Sequence, residues 1–218
     1  MRLTYMSDLH LETETYVPRF VGGEVLVIAG DLCHARCLDP ARTDGYSVAQ
    51  RARVMRFLDA ARAAFVHIVM VPGNHEHYDG VFEDTSGLLR RHLPGVTVLD
   101  DEVSEIGGVR FFGSTLWTNF SGGDAGVLDG VRRRMGEYFF VKTQGALDAR
   151  GRPAKFRPED ALAAHGRGWS ALEAALAGAG GRPTVVITHH APSVLGANAK
   201  HKGDALDAAY YSALDAEL

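Results

Sequence analysis

His67-Ile68-Val69-Met70-Val71-Pro72-Gly73-Asn74-His75-Glu76 runs apolar and β-branched, then stops at an amide, an imidazole and a carboxylate. Three other stretches have the same design. Arg2-Leu3-Thr4-Tyr5-Met6-Ser7 stops at Asp8-Leu9-His10, Val25-Leu26-Val27-Ile28-Ala29-Gly30 stops at Asp31, and Thr184-Val185-Val186-Ile187-Thr188 stops at His189-His190. Short continuous apolar runs are the mark of strands buried in a parallel-type sheet. Such sheets present ligand sites just beyond the carboxyl ends of their strands. Carboxylate, amide and imidazole groups scattered over the sequence are therefore expected to gather along one rim, as a metal-dependent active site.

Working outward, the chain alternates strands and helices. A helix is predicted from about Ser47, with Val48, Ala52, Met55, Leu58 and Phe65 near helical spacing. A second spans about 81–92 and is stopped by Pro94-Gly95. Val96-Thr97-Val98-Leu99 reads as a short strand, and 102–106 and 109–113 as a hairpin around Gly107-Gly108. Ser121-Gly122-Gly123 opens a segment expected to be irregular to about Pro158, containing Arg132-Arg133-Arg134, Tyr138, Phe139 and Phe140. A helix over 158–177 precedes the Thr184 strand, and a last helix is expected from about Asp204, with Leu206, Tyr210, Ala213 and Leu214 on one face.

Bulk properties narrow the classes. The 218 residues suffice for one substantial α/β domain over 1–218. A net charge of −4 argues against a broad phosphate-backbone footprint, so nucleic acid is not the expected partner; a small phosphorylated substrate is. No apolar leader precedes the first strand and no run approaches a membrane span, which makes a cytoplasmic protein the expectation. Cys33 and Cys37 are read as packing thiols rather than a zinc pair, because no second ligand pair stands at a matching spacing.

The chemistry follows from residue types. Residues two apart in an extended segment share a side, so Asp8 and His10 can reach one ion. Asp31 offers two oxygens able to bridge two cations, Asn74 an amide oxygen, and His189 an imidazole nitrogen. Oxygen and nitrogen ligation without thiolate suits manganese, iron, zinc or similar divalent ions. Two such ions roughly 3.5–4 Å apart clamp an in-line displacement at phosphorus and acidify a bridging water to hydroxide. His75, one position past a ligand, would face the substrate and protonate the leaving oxygen. Glu76 would orient that imidazole or stand as a solvated carboxylate. His190, His77 and Trp117, near the site by sequence, are candidate substrate contacts. His165 and Arg132-Arg133-Arg134 are read as structural or solvated.

Ser7-Asp8-Leu9-His10, Gly30-Asp31, Gly73-Asn74-His75-Glu76 and Thr188-His189-His190-Ala191-Pro192 occur in the order found in calcineurin-like metallophosphoesterases, and the chain resembles small bacterial members of that family. The likeness extends through Gly113-Ser114-Thr115-Leu116-Trp117. It implies a four-layer α/β/β/α sandwich with two mixed sheets, and hydrolysis of a phosphomonoester or phosphodiester. It also implies Asp8, His10 and Asp31 as ligands of one metal, Asp31, Asn74 and His189 as ligands of the other, and His75 as the catalytic imidazole. Two departures stand out. The family pattern continues into a strand ending Gly-His-x-His, whereas here only His165-Gly166 and His201-Lys202-Gly203 remain as substitutes. The chain is thus expected to lack the last strands, to expose a sheet edge that invites dimerisation, and to hold metals less firmly, with a weakly active or non-catalytic remnant as the alternative. His34, three residues after Asp31, stands where some relatives carry an acidic partner for the catalytic imidazole.

Overall fold

A computed structural model describes residues 1–197 and 206–217. Its first sheet has the order β1 (Leu3–Met6), β2 (Gly23–Ala29), β3 (Phe65–Val71), β4 (Val96–Val98), parallel throughout. The second has the order β5 (Glu102–Ile106), β6 (Val109–Ser114), β9 (Thr184–Thr188) and is mixed: β5 runs antiparallel to β6, and β9 parallel to it. Gly107 and Gly108 close the hairpin with φ of 56° and 78°, backbone that side chains resist.

Alternation along the strands sorts the core into layers. Leu26, Ile28, Ile68 and Met70 point outward onto Val54, Phe57, Leu58 and Ala61 of helix α1 (Gly45–Ala64) and Leu89 of α2 (Thr85–His92). Their neighbours Val25, Val27, Val69 and Val71 point inward and meet Ile106, Phe111 and Ile187 of the second sheet. On the far face Phe112 packs on Leu172 and Ala175 of α6 (Pro158–Ala177). Helix, sheet, sheet, helix is the expected four-layer sandwich. Each large apolar side chain buried between layers contributes about 1.5–3 kcal/mol.

Local signals explain the helix ends. The Asp44 carboxylate accepts from Ser47 N at 2.9 Å and caps α1. Pro158 opens α6, and Asp160 reaches back to Arg157 N at 2.8 Å. The helix expected over 81–92 begins as a 3-10 turn, Phe82–Asp84, before α2.

Two expectations are corrected. The segment from 121 to 158 is ordered: a kinked helical turn α3 (Phe120–Gly123), helix α4 (Ala125–Arg134) capped by Asp124, a helical turn α5 (Glu137–Phe140), and a hairpin of β7 (Lys142–Leu147) and β8 (Pro153–Lys155). It packs into an apolar cluster that joins Val131, Tyr138, Val141 and Phe156 to Trp117, Phe120, Ala161 and Ala209. The last helix does not form among the described residues. Asp207–Ala209 makes a single 3-10 turn, after which Ser212 N donates to Ala191 O at 2.9 Å while Ala191 N donates to Tyr210 O at 3.2 Å. Pairing with residue 191 draws this stretch out of helical geometry. The predicted start near Asp204, and residues 201–203, lie outside the described residues. Among those described, no helix is long and apolar enough to cross a membrane.

Candidate metal centre

The ends of β1 and β2 run on side by side as paired loops. Asp8 N donates to Gly30 O at 3.2 Å, His10 N to Asp31 O at 3.0 Å and Leu11 N to Leu32 O at 2.9 Å. Asp8, His10 and Asp31 all have left-handed backbone, with φ of 56°, 46° and 53°. Such conformations cost on the order of 1–3 kcal/mol each and persist where surrounding bonds enforce them. Asp8 and His10 therefore converge through turns, not through the extended alternation the sequence suggested.

Glu76 supplies much of that enforcement. Its carboxylate is buried and accepts from Asp31 N (2.9 Å), Leu32 N (2.7 Å), Cys33 N (3.0 Å) and Gly73 N (2.6 Å). It neither orients His75 nor faces solvent; it staples the loop after β2 to the loop after β3. Burial and the Asp31 charge push its carboxyl up to about 7, against the backbone donors.

Asp31 is the hub. Its Oδ1 accepts from His75 N at 2.9 Å and lies 3.5 Å from His189 Nε2. Its Oδ2 lies 3.9 Å from His10 Nε2 and 4.0 Å from His75 Nε2, and His10 Nε2 is 4.0 Å from Asp8 Oδ1. Asn74 Oδ1 is 3.0 Å from His189 Nε2. The structure thus brings together Asp8, His10, Asp31, Asn74, His75 and His189. Two groups in it, Asp8–Asp31–His189 and His10–Asp31–His75, hold ligand atoms within 4.8 Å of one another.

The donor set fits a cation. His189 Nδ1 meets the carbonyl of Ala29 at 2.9 Å; a carbonyl only accepts, so Nδ1 carries the hydrogen. In the neutral ring Nε2 then presents its lone pair to two oxygens, Asn74 Oδ1 and Asp31 Oδ1. Lone pairs so crowded call for a positive charge between them, and a divalent ion with mixed nitrogen and oxygen ligands answers that need.

Around the hub lies an open cavity of about 380 Å³ lined by Asp8, His10, Asp31, Asn74, His75 and His189, with Tyr78, Arg134, Glu137, His190 and Tyr210 among the others. His190 reaches its wall, though it is mostly buried, with Nδ1 3.3 Å from Thr115 O; burial and His189 push it down to about 3. His77 and Trp117 do not line it. His77 is buried, stacked on Phe82 with centroids 4.6 Å apart, and neither ring nitrogen makes a hydrogen bond among the described residues. Trp117 is buried behind His190, ring centroids 5.4 Å apart. His165 bonds the Trp117 carbonyl at 2.8 Å, a structural role as expected. Of the arginine run, Arg132 pairs with Glu159 and Arg133 with Asp129, while Arg134 reaches the cavity. Cys33 and Cys37 are free and buried, as packing thiols should be.

Three site residues escaped sequence reading. Glu12, buried, places Oε1 2.9 Å from His10 Nδ1 and 3.0 Å from His75 Nδ1. Burial would raise its carboxyl, but the His75 bond, its own backbone N–H and the His10 bond outweigh this and hold it near about 2. Burial likewise lowers His75, yet the bond to Glu12 and the charge of Asp31 turn the net direction upward. Tyr78 stacks on His75 with centroids 4.3 Å apart and donates its hydroxyl to Glu137 Oε2 at 3.1 Å. Glu137 also accepts from Asn74 Nδ2 at 3.4 Å, leaving Asn74 Oδ1 to face His189; burial pushes the Glu137 carboxyl up. Only Glu12 had a sequence signal, its place two residues after His10.

With this geometry in view, comparison with known proteins identifies the class. The model of the calcineurin-like phosphoesterases matches residues 1–216, and the chain belongs to that family. It is 26% identical over 156 residues to an uncharacterized protein of Acanthamoeba polyphaga mimivirus, a match covering 64% of this chain and 51% of that one. The chain thus spans about half the length of the curated relative it matches. Its fold is similar to that of phosphopantetheinyl hydrolase from Mycobacterium tuberculosis, with a TM-score of 0.57, 18% identity, and coverage of 96% of this chain and 75% of that one.

Proposed function

We propose that the protein hydrolyses a phosphomonoester or phosphodiester of a small substrate with the help of two divalent metal ions (manganese, iron, zinc or similar). Asp8, His10 and Asp31 would hold one ion, and Asp31, Asn74 and His189 the other. Bound there, the ions would neutralise phosphoryl oxygens and acidify the attacking water. His75 faces the cavity with Nε2 on the Asp31 side, where its proton can pass to the departing ester oxygen. Stacking on Tyr78 fixes the plane of that ring. Glu137 holds the Asn74 amide so that oxygen, not nitrogen, joins the cluster.

The observation that carries this reading is the convergence of three imidazole Nε2 atoms on the Asp31 carboxylate, within 3.5–4.0 Å. Hydrolysis of bis-p-nitrophenyl phosphate with added manganese, compared with an Asp31→Asn variant, tests it. Equal rates would overturn it.

The proposed partners are a small phosphorylated substrate and a second copy of the chain. Support for the latter comes from β9, an edge strand of the second sheet among the described residues, whose Val186 is exposed. A monodisperse monomer in light scattering would count against self-association.

A further inference from the structure

We infer that Glu12 is the positioning residue for both working imidazoles of the site, resting on the phosphoesterase reading above. A single carboxylate oxygen, Oε1, lies 2.9 Å from His10 Nδ1 and 3.0 Å from His75 Nδ1. A carboxylate oxygen shared by two ring nitrogens accepts from both, so each Nδ1 brings the hydrogen. That choice of tautomer leaves Nε2 of His10 bare to face Asp8 and Asp31, the state a metal ligand requires. It also gives His75 an anion behind the ring when Nε2 carries the proton meant for the leaving oxygen. One acid thus serves the metal side and the proton side at once.

The site supports this assignment in three ways. The two rings it joins stand edge to face with centroids 4.5 Å apart, close enough to share one acceptor. The Glu12 backbone is pinned from helix α1, where the Arg53 guanidinium donates to the carbonyls of Leu11 and Glu12. Residue 34, where the family resemblance leads one to expect an acidic partner for His75, is a mostly buried histidine. It brings a ring nitrogen within 4.8 Å of the Glu12 and His75 ligand atoms, but it has no anion to offer. The acid therefore comes from the loop after β1 instead of the loop after β2.

The test reads the imidazoles directly. In metal-free protein with labelled histidine nitrogens, His10 and His75 should both show protonated Nδ1. Glu12→Gln, which keeps shape and loses charge, should shift both signals, weaken manganese binding in calorimetry, and lower kcat with little change in KM, by about 10- to 100-fold. A Glu12→Gln protein that matches the wild type in nitrogen shifts and manganese affinity overturns the inference. If Glu12→Gln fails to fold, the wild type alone decides: a bare Nδ1 on either ring overturns it. The nitrogen signals answer for Glu12 even where no ester is turned over, so the two readings fail separately.

Discussion

The two sheets are built from similar apolar strands, yet they serve the site unequally. Every strand of the parallel sheet from β1 to β3 ends in the cluster, giving Asp8, His10, Asp31, Asn74 and His75. The mixed sheet gives His189 and, at the cavity wall, His190. Direction accounts for the contrast. Parallel strands aim all their carboxyl ends at one rim, whereas β5 runs against β6 and carries its end away. The mixed sheet contributes support instead: Thr115, just past β6, donates to Pro72 O at 2.8 Å and ties the two rims together.

The contrast can be broken by experiment. Asp31→Asn should lower manganese-supported ester hydrolysis by at least on the order of 100-fold with the circular dichroism spectrum unchanged. Thr115→Val should leave turnover within a few-fold and cost about 1 kcal/mol in urea unfolding. Comparable activity losses in the two variants would erase the distinction. Glu76→Ala should destabilise by about 3–5 kcal/mol, because it strands four backbone N–H groups between two loops. A shift under about 1 kcal/mol would mean that the loops hold their shape without the staple.

Gly30→Ala sharpens the comparison. Gly30 sits at φ 88°, and a Cβ there would lie 2.5 Å from His189 Nδ1 and 2.8 Å from Gly73. The expected cost is about 1–3 kcal/mol, with weakened manganese binding by calorimetry; unaltered affinity would show that the rims can spread. The smallest effect belongs to His77→Phe, beneath the site. Its imidazole is buried without a hydrogen bond, so an aromatic ring of similar size should change stability by less than about 1 kcal/mol and leave kcat and KM alone. A large rise in KM would restore His77 as a substrate contact.

The layers and the cluster were legible because each rests on a local pattern, an apolar run that stops at a metal-binding side chain. What escaped depends on contacts distant in sequence. Glu137 meets Asn74 across 63 positions, and nothing near it in the chain marks a site. Helix α4 was hidden because Gly126 and Gly130 dilute its periodicity, although Asp124 stands as a cap before it. The opposite error came at the end of the chain. There the spacing of Leu206, Tyr210, Ala213 and Leu214 suits a helix, but backbone bonds to Ala191 claim the segment. Glu76, read as orienting His75 or as a solvated carboxylate, is neither, because its partners are peptide groups brought from two loops.

The stretch from Phe120 to Phe156 packs into an apolar cluster shared with Trp117, Ala161 and Ala209, and hangs one wall, with Arg134 and Glu137, over a hub assembled from other parts of the chain. The hub and this wall thus lie on different parts of the chain, joined where Glu137 accepts from the Asn74 amide. On the proposed reading, exchange of this stretch with Glu137 kept in place would alter what is bound while the hub stays as it is.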